Sequence, residues 1–315
     1  MQKRKLGNSG LEIAPLVFGG NVFGWTVDEK ASFTILDAFL DAGFNCVDTA
    51  DVYSKWKPGN KGGESEIIIG NWFKARGNRS KVILATKCGM EMGPDKKGLS
   101  KAYILRAVED SLKRLQTDHI DLYQSHRDDM VTAPQETMEA HAQLVKAGKI
   151  RVVGASNFDA ERLRASLAAS AKAGIPRYET LQPLYSLVER SEYEGALQKL
   201  CVAENVGVIP YYSLASGFLT GKYRSEADVG NAARGAGVKK YLNPRGFAVL
   251  KALDDAAKKH NATQAQVALA WLLAQPGIAA PIASATSTTQ LADILKSTTL
   301  KLDKESLAAL SKAGA

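Results

Sequence analysis

The sequence predicts a closed barrel of eight parallel strands in which each strand is followed by a helix. Short apolar, β-branched runs alternate with longer segments of helical spacing, and eight such pairs follow one another along the 315 residues. One barrel of this kind takes about 250 residues, so the chain is long enough for it. An open, doubly wound sheet is the alternative, but the segment FGGNVFGW at 18–25 lacks the G-x-G-x-x-G turn typical of that fold.

The elements follow in a regular order after a predicted β-hairpin at residues 4–14, whose turn is the NSG segment. The first helix ends at Gly43, and in the third helix the apolar residues from Ile104 to Leu115 share one face. The predicted strands are residues 15–20, 44–50, 81–87, 119–126, 150–157, 178–186, 207–213 and 278–285. The predicted helices are residues 28–43, 64–76, 100–116, 134–149, 160–174, 192–206 and 288–297, with further helices after the seventh strand and a long loop.

Composition and charge limit the class of protein. The chain is 45% hydrophobic and 23% charged, and it can bury a large core. Its net charge is +8, but Lys and Arg are spread along the chain instead of forming the stripe of a nucleic-acid binder. No apolar run reaches the roughly 20 residues of a membrane span, and the N-terminus lacks a signal-peptide core. The sequence therefore predicts a single cytoplasmic domain over residues 1–315 and leaves the oligomeric state open.

Cysteines and acids give no indication of a metal site. Cys46, Cys88 and Cys201 lie far apart, without CxxC or Cys/His spacing, which predicts reduced thiols. Asp48 and Asp51 lie close together, but no third ligand follows at a suitable spacing.

Polar side chains stand at the ends of three consecutive predicted strands. Asp48 and Tyr53 follow the second strand, Lys87 ends the third and His126 ends the fourth. Ligand chemistry in such a barrel gathers at the carboxyl ends of its strands. Each side chain alone has a structural explanation, such as a loop cap or a satisfied core histidine, but four at one face favour a catalytic site.

The four residue types suit proton transfer to a carbonyl oxygen. A phenol titrates near pH 10, and a nearby ammonium favours the phenolate, so Lys87 is expected to lower the pKa of Tyr53. Asp48 keeps the lysine charged and oriented, and His126 can hydrogen-bond a substrate oxygen. A metal ion is not required for this chemistry.

Several segments together resemble the aldo-keto reductase family. They include DTADVY at 48–53, ATK at 85–87, SH at 125–126 and GASNF at 154–158. The resemblance covers essentially the whole chain and is greatest to the bacterial branch that is also similar to the β subunits of voltage-gated potassium channels. It implies a (β/α)8 TIM barrel and reversible hydride transfer between a nicotinamide and an aldehyde or ketone, or an alcohol or sugar.

The resemblance also implies roles for individual residues. Tyr53 would be the general acid, Lys87 and Asp48 would tune it, and His126 would orient the carbonyl. Ser156, Asn157 and Gln182 would hold the carboxamide. Tyr212, or Tyr211 as second choice, would stack on the nicotinamide. Ser213, Leu214, Gly217 and Lys222 would surround the pyrophosphate.

The segment 284–294 would meet the adenosine end of the dinucleotide, through Ser284, Thr286, Ser287, Gln290 and Asp293. NADP(H) is the family default, yet the position where relatives carry an arginine is Ser287, so NAD(H) is the alternative. Hydroxyls in this segment, or Arg224 from the long loop, are the other candidates for contacting a 2′-phosphate.

Two tryptophans, Trp25 and Trp56, are candidate walls of the substrate entrance, and a small carbonyl or sugar is the expected partner. Two competing functions remain at this stage. One is an aldolase-like enzyme with Lys87 as Schiff-base nucleophile. The other is a regulatory or redox-sensing subunit that binds nucleotide and turns over slowly.

Overall fold

The computed structural model describes residues 2–230 and 235–315. It begins with the predicted hairpin, in which β1 (Arg4–Lys5) pairs antiparallel with β2 (Glu12–Ile13). The hairpin lies against the N-terminal end of the barrel, where Leu6 is fully buried among side chains from inside the barrel. One end of the barrel is therefore covered by the chain itself.

The predicted barrel of parallel strands is confirmed within the described ranges. Its strands lie in the order β10, β3, β4, β5, β6, β7, β8, β9, and every ladder between them is parallel. Backbone hydrogen bonds close the ring: Val208 donates to Gly277 O over 3.2 Å, and Ala279 donates to Val208 O over 2.8 Å. The strands are β3 (Val17–Gly19), β4 (Cys46–Asp48), β5 (Ile83–Cys88), β6 (Ile120–Ser125), β7 (Ile150–Ser156), β8 (Tyr178–Gln182), β9 (Gly207–Val208) and β10 (Ile282–Ala283).

Helices surround the strands, and their ends follow ordinary capping rules. Asp28, Ser100 and Asp159 cap three helices by accepting a backbone N–H in the first turn, and Gly77 and Gly174 end two in the left-handed conformation. The helices are α1 (Glu29–Asp41), α2 (Glu64–Arg76), α3 (Lys101–Leu115), α4 (Pro134–Lys146), α5 (Ala160–Ala173), α6 (Ala196–Ala203), α7 (Glu226–Val229), α8 (Pro244–Lys259), α9 (Gln264–Leu273), α10 (Thr288–Leu295) and α11 (Lys304–Ala313).

Two apolar layers hold this arrangement. The smaller one fills the lower part of the barrel and includes Val17, Ala85 and Leu122. The larger one lies between the strands and the helices. Because the inner apolar layer fills only part of the barrel, polar side chains from the upper ends of the strands occupy the remaining space.

The last two strands are much shorter than the sequence predicted. The seventh strand was expected over 207–213, but β9 has two residues, and the eighth was expected over 278–285, but β10 has two. Pro210 has no backbone N–H to donate to a ladder. The segment that follows it belongs to the wall of the site described next.

Candidate active site

The four predicted catalytic side chains meet at the upper end of the barrel. Asp48 is the last residue of β4, and Lys87 lies near the end of β5. His126 follows β6 directly, and its backbone N–H donates to Cys88 O over 2.8 Å. Tyr53 lies in the turn after β4, where its N–H donates to Ala50 O over 3.2 Å. Parallel neighbours in the sheet therefore bring residues far apart in sequence to one place.

We call these four side chains, Asp48, Tyr53, Lys87 and His126, the catalytic group. Lys87 lies at its centre. Its Nζ donates to Asp48 Oδ2 over 2.6 Å, to the Thr49 carbonyl over 2.8 Å and to Tyr53 Oη over 2.9 Å. The Tyr53 hydroxyl donates to Asp48 Oδ2 over 3.3 Å. The rings of Tyr53 and His126 stand edge to face with their centroids 6.0 Å apart.

Burial determines the protonation states in this group. Asp48 and Lys87 are 1% and 0% exposed. Burial, followed by the charge of Asp48, raises the pKa of Tyr53 well above its usual value. Burial, followed by the charge of Lys87, lowers the pKa of His126 well below its usual value. Tyr53 is thus a protonated phenol and His126 a neutral imidazole at neutral pH.

The expected direction of the Tyr53 pKa was therefore wrong. The sequence argument considered the ammonium of Lys87 alone, which favours the phenolate. In the folded chain the loss of water and the Asp48 carboxylate act in the opposite direction and outweigh it. The tyrosine keeps its proton until an acceptor takes it.

Asp51 is a buried acid beside this group. It is 2% exposed, and its Oδ1 has no hydrogen-bond partner in the described part of the chain. Burial and the nearby Glu66 raise its pKa well above the usual value. Among residues 2–230 and 235–315, no cluster of His, Cys, Asp and Glu has the arrangement of a metal site.

A cavity of about 810 Å³ opens from the catalytic group. Asp48, Tyr53 and Trp25 line its inner end. The cavity then passes between the segments that follow β9 and β10. Its wall includes most of the predicted cofactor residues: Tyr212, Ser213, Leu214, Gly217, Lys222, Ser284, Thr286, Gln290 and Asp293.

The segment after β9 has an unusual backbone. Tyr212, Ala215, Ser216 and Gly217 have φ angles of 65°, 48°, 57° and 94°. Three of these residues are not glycine, and such strain in a packed structure is concentrated at functional sites. Two backbone N–H groups of this segment have partners within it, since Ala215 donates to the Tyr212 carbonyl and Gly217 donates to the Leu214 carbonyl, each over 2.8 Å.

The far end of the cavity is lined by hydroxyl, amide and carboxylate groups. Gln290 Oε1 accepts from the Thr286 N–H over 2.9 Å. Asp293 accepts from Thr263 Oγ1 over 3.0 Å and from Gln266 Nε2 over 2.6 Å. Of the described residues, Lys222 is the one cationic side chain in the cavity wall.

Comparison with protein families gives this geometry a context. The model of the Aldo/keto reductase family matches residues 15–315. The chain belongs to the aldo/keto reductase family. The members of this family generally use NAD(P)H to reduce carbonyl groups, and the fold and the catalytic group described above agree with that activity.

Relatives match this aldo/keto reductase over almost its whole length. The uncharacterized oxidoreductase YrpG of Bacillus subtilis is 39% identical, covering 99% of this chain and 95% of the relative. Protein tas of Escherichia coli is 33% identical, covering 98% and 96%. A probable voltage-gated potassium channel subunit beta of Oryza sativa is 31% identical, covering 94% and 90%.

The cavity wall does not include three of the predicted cofactor residues of this aldo/keto reductase, Ser156, Asn157 and Gln182. Ser156 Oγ donates to the Gln182 carbonyl over 2.8 Å, and Asn157 Nδ2 donates to the His126 carbonyl over 2.9 Å. Gln182 Nε2 donates to Asp48 Oδ1 over 2.9 Å. These side chains join the catalytic group to the neighbouring strands.

The geometry favours Tyr211 over Tyr212 as the aromatic residue beside the catalytic group. Tyr211 donates from its hydroxyl to Asn157 Oδ1 over 2.8 Å, and it lines the same cavity as Tyr53. The Tyr212 ring also lines the cavity, but Ser216 Oγ donates to its hydroxyl over 2.9 Å, which ties that ring to the segment after β9.

Ser287 and Arg224 both have partners within the protein. Ser287 caps α10, and its hydroxyl accepts from the Gln290 N–H over 3.2 Å. It is not among the residues of the cavity wall. The Arg224 guanidinium binds both carboxylate oxygens of Asp254, over 2.7 Å and 2.8 Å. The predicted contact of either residue with a 2′-phosphate would require these bonds to change.

Both predicted tryptophans lie beside Tyr53. The rings of Trp25 and Trp56 are 5.6 Å apart, and those of Tyr53 and Trp56 are 6.0 Å apart. Trp56 is 48% exposed. The sequence argument missed the wall residues Asn21, Thr263 and Gln264, since none of them belongs to a motif that indicates a nucleotide.

No helix in the described residues is both long enough and apolar enough to cross a membrane.

Proposed function

We propose that this chain catalyses reversible NAD(P)(H)-dependent reduction of small aldehydes and ketones, with Tyr53 as the general acid. The observation that carries the proposal is the contact of Lys87 Nζ with both Asp48 Oδ2 and Tyr53 Oη, over 2.6 Å and 2.9 Å, at the inner end of a large cavity. The three free, buried thiols are consistent with a cytoplasmic enzyme.

The residues present fit a dinucleotide. The cavity of about 810 Å³ lies within the size range of cofactor sites. The ammonium of Lys222 suits a pyrophosphate, and Tyr211 offers an aromatic face in the same cavity as Tyr53. Ser284, Thr286, Gln290 and Asp293 would face the adenosine end. The dinucleotide supplies a hydride to the carbonyl carbon when bound.

The side chains of the catalytic group perform the proton transfer. Tyr53 holds a proton at Oη and can release its weak bond to Asp48 in order to donate to the carbonyl oxygen. Lys87 then donates a hydrogen bond to the phenolate that remains, which stabilises the charge where it develops. Neutral His126 donates to the same substrate oxygen and fixes its direction. In the oxidative direction the phenolate accepts the proton.

The two tryptophans support a preference for ring-shaped substrates. Aromatic faces pack against apolar rings and against the C–H faces of sugars. We therefore expect aromatic aldehydes or sugars to be reduced faster than short aliphatic aldehydes. Oxidation of NADPH and NADH with a panel of carbonyls measures this. A protein that binds dinucleotide but reduces no member of the panel would instead be the regulatory subunit considered above.

We propose further that NADPH has no large affinity advantage over NADH, so that NADH is used at least as well as relatives use it. An ionic contact to the 2′-phosphate is worth about 1.5–3 kcal/mol, or roughly 10–100-fold in affinity. Lys222 is the cationic wall residue of the described chain, and Ser287 occupies the usual arginine position. We expect fluorescence titration to give dissociation constants for NADPH and NADH within about tenfold of each other.

Two variants of Ser287 separate the effect of an added charge on dinucleotide binding from the effect of losing the cap of α10. Ser287→Arg is expected to tighten NADPH binding by about tenfold and to leave NADH binding unchanged. Ser287→Ala removes the cap without adding charge, so it should leave the ratio of the two constants as it is in the wild type. NADPH binding that is more than about tenfold tighter than NADH binding in the wild type would contradict the proposal.

A further inference from the structure

Gln124 lies beside the catalytic group, and the sequence predicted no role for it. It precedes the last residue of β6, pairs in register with Lys87 on β5 and with Gly154 on β7, and is fully buried. The amide of a glutamine in the barrel interior needs hydrogen-bond partners, because burying it without them costs free energy.

Both ends of the Gln124 amide are used. Its Nε2 donates to Asp48 Oδ1 over 3.2 Å, and its Oε1 accepts from Gln182 Nε2 over 3.3 Å. Gln182 Nε2 also donates to the same Asp48 Oδ1, over 2.9 Å. One oxygen of Asp48 thus binds two amides, and the other binds Lys87 and Tyr53.

The neighbouring strand leaves room for this side chain. A β-carbon at Gly154 would lie 3.0 Å from Gln124 Cγ and 2.2 Å from Thr180 Oγ1. The contact with Thr180 would require something to move, and the contact with Gln124 would be tight, so glycine is the residue that leaves both side chains in place. The position of Gln124 is therefore supported by a second strand as well as by its hydrogen bonds.

We propose that Gln124 is a positioning residue for the reduction, acting through Asp48 and Gln182. This inference rests on the proposed function. The amide holds Asp48 Oδ1 so that Oδ2 faces Lys87, which keeps the ammonium in contact with Tyr53. It also fixes Gln182, which the family resemblance assigns to the carboxamide, and so joins the proton-donating group to the dinucleotide site.

Two variants of Gln124 test this. Gln124→Met keeps the size of the side chain and removes both hydrogen bonds, so kcat/KM should fall about 10–100-fold, mainly in kcat. Gln124→Glu keeps the shape. Its carboxyl donates to Asp48 when protonated and repels Asp48 when ionised. Beside the buried Asp48 that carboxyl has a raised pKa, so activity should fall as pH rises through it, a step that neither the wild type nor the Met variant shows.

Tyr123→Phe is the matched control. Tyr123 is the adjacent residue of β6, is fully buried, and its hydroxyl lies beside the Cys88 thiol and away from Asp48. It points away from the catalytic group toward His141, with ring centroids 5.9 Å apart. This variant should keep the kcat, KM and pH profile of the wild type.

The outcomes separate this inference from the proposed function. If the wild type reduces carbonyls and the Met variant matches it in kcat/KM per folded molecule, Gln124 only packs and the inference is wrong. If the wild type reduces nothing, the proposed function fails, and dinucleotide titration decides about Gln124. The Met variant should then bind roughly three- to tenfold more weakly, and equal binding would overturn the inference. If the Met variant does not fold, the pH profile of Gln124→Glu remains the test.

Discussion

Replacing Tyr53 with phenylalanine is expected to lower kcat by about 10²–10⁴-fold, because a positioned general acid contributes that much. The change removes one hydroxyl and keeps the ring that packs against His126 and Trp56. Binding of the dinucleotide should therefore stay close to that of the wild type. Steady-state reduction of a carbonyl and fluorescence titration of the dinucleotide measure the two quantities separately.

Tyr193→Phe is a suitable control for this result. The Tyr193 side chain is fully buried, and its hydroxyl has no partner in the described residues. It packs against Tyr185 and is not among the residues of the cavity wall. Retention of more than about a tenth of the wild-type rate in Tyr53→Phe would show that another group donates the proton.

Replacing Lys87 with methionine is expected to abolish turnover and also to destabilise the fold. The ammonium and Asp48 form an ion pair that is fully buried. Removing one partner of such a pair leaves an uncompensated buried charge and costs about 3–5 kcal/mol. Urea unfolding of the variant should show a loss of that size in the free energy of unfolding.

A second substitution tests the reason for this loss. Lys87→Met combined with Asp48→Asn removes both charges, so part of the stability should return while the enzyme stays inactive. The exposed pair of Lys251 and Asp255 gives the comparison, since Lys251→Met should leave stability nearly unchanged. Equal losses in the single and the double variant would mean that packing around Lys87, rather than its charge, stabilises this part of the barrel.

The order of the strands, and the meeting of the four polar side chains at one end of the barrel, could be predicted from the sequence because both depend on regular spacing. The helix predicted at 64–76 has those bounds in the structure. Parallel strands in a barrel all end at one face, so Asp48, Lys87 and His126 had to meet once the strands were assigned.

The finer assignments depended on backbone angles and on competing partners, which spacing does not reveal. Tyr211 and Tyr212 are adjacent and both line the cavity, yet their hydroxyls bond different partners, Asn157 and Ser216. Ser287 has a hydroxyl that suits a phosphate, but the same hydroxyl caps α10. Gln124 has no sequence signal, because its two hydrogen-bond partners, Asp48 and Gln182, lie 76 and 58 positions away along the chain.

The barrel is closed by hydrogen bonds between β9 and the segment before β10, and this junction lies beside the cavity. Both strands have two residues, and the hydrogen bonds across this junction join Val208 to Gly277 and Ala279. The cavity wall is drawn from both sides of the junction, from Tyr211 to Lys222 and from Ile282 to Asp293. A ligand that fills the cavity would therefore contact both sides of this junction, so occupancy of the cavity and resistance of the junction to local unfolding rise together.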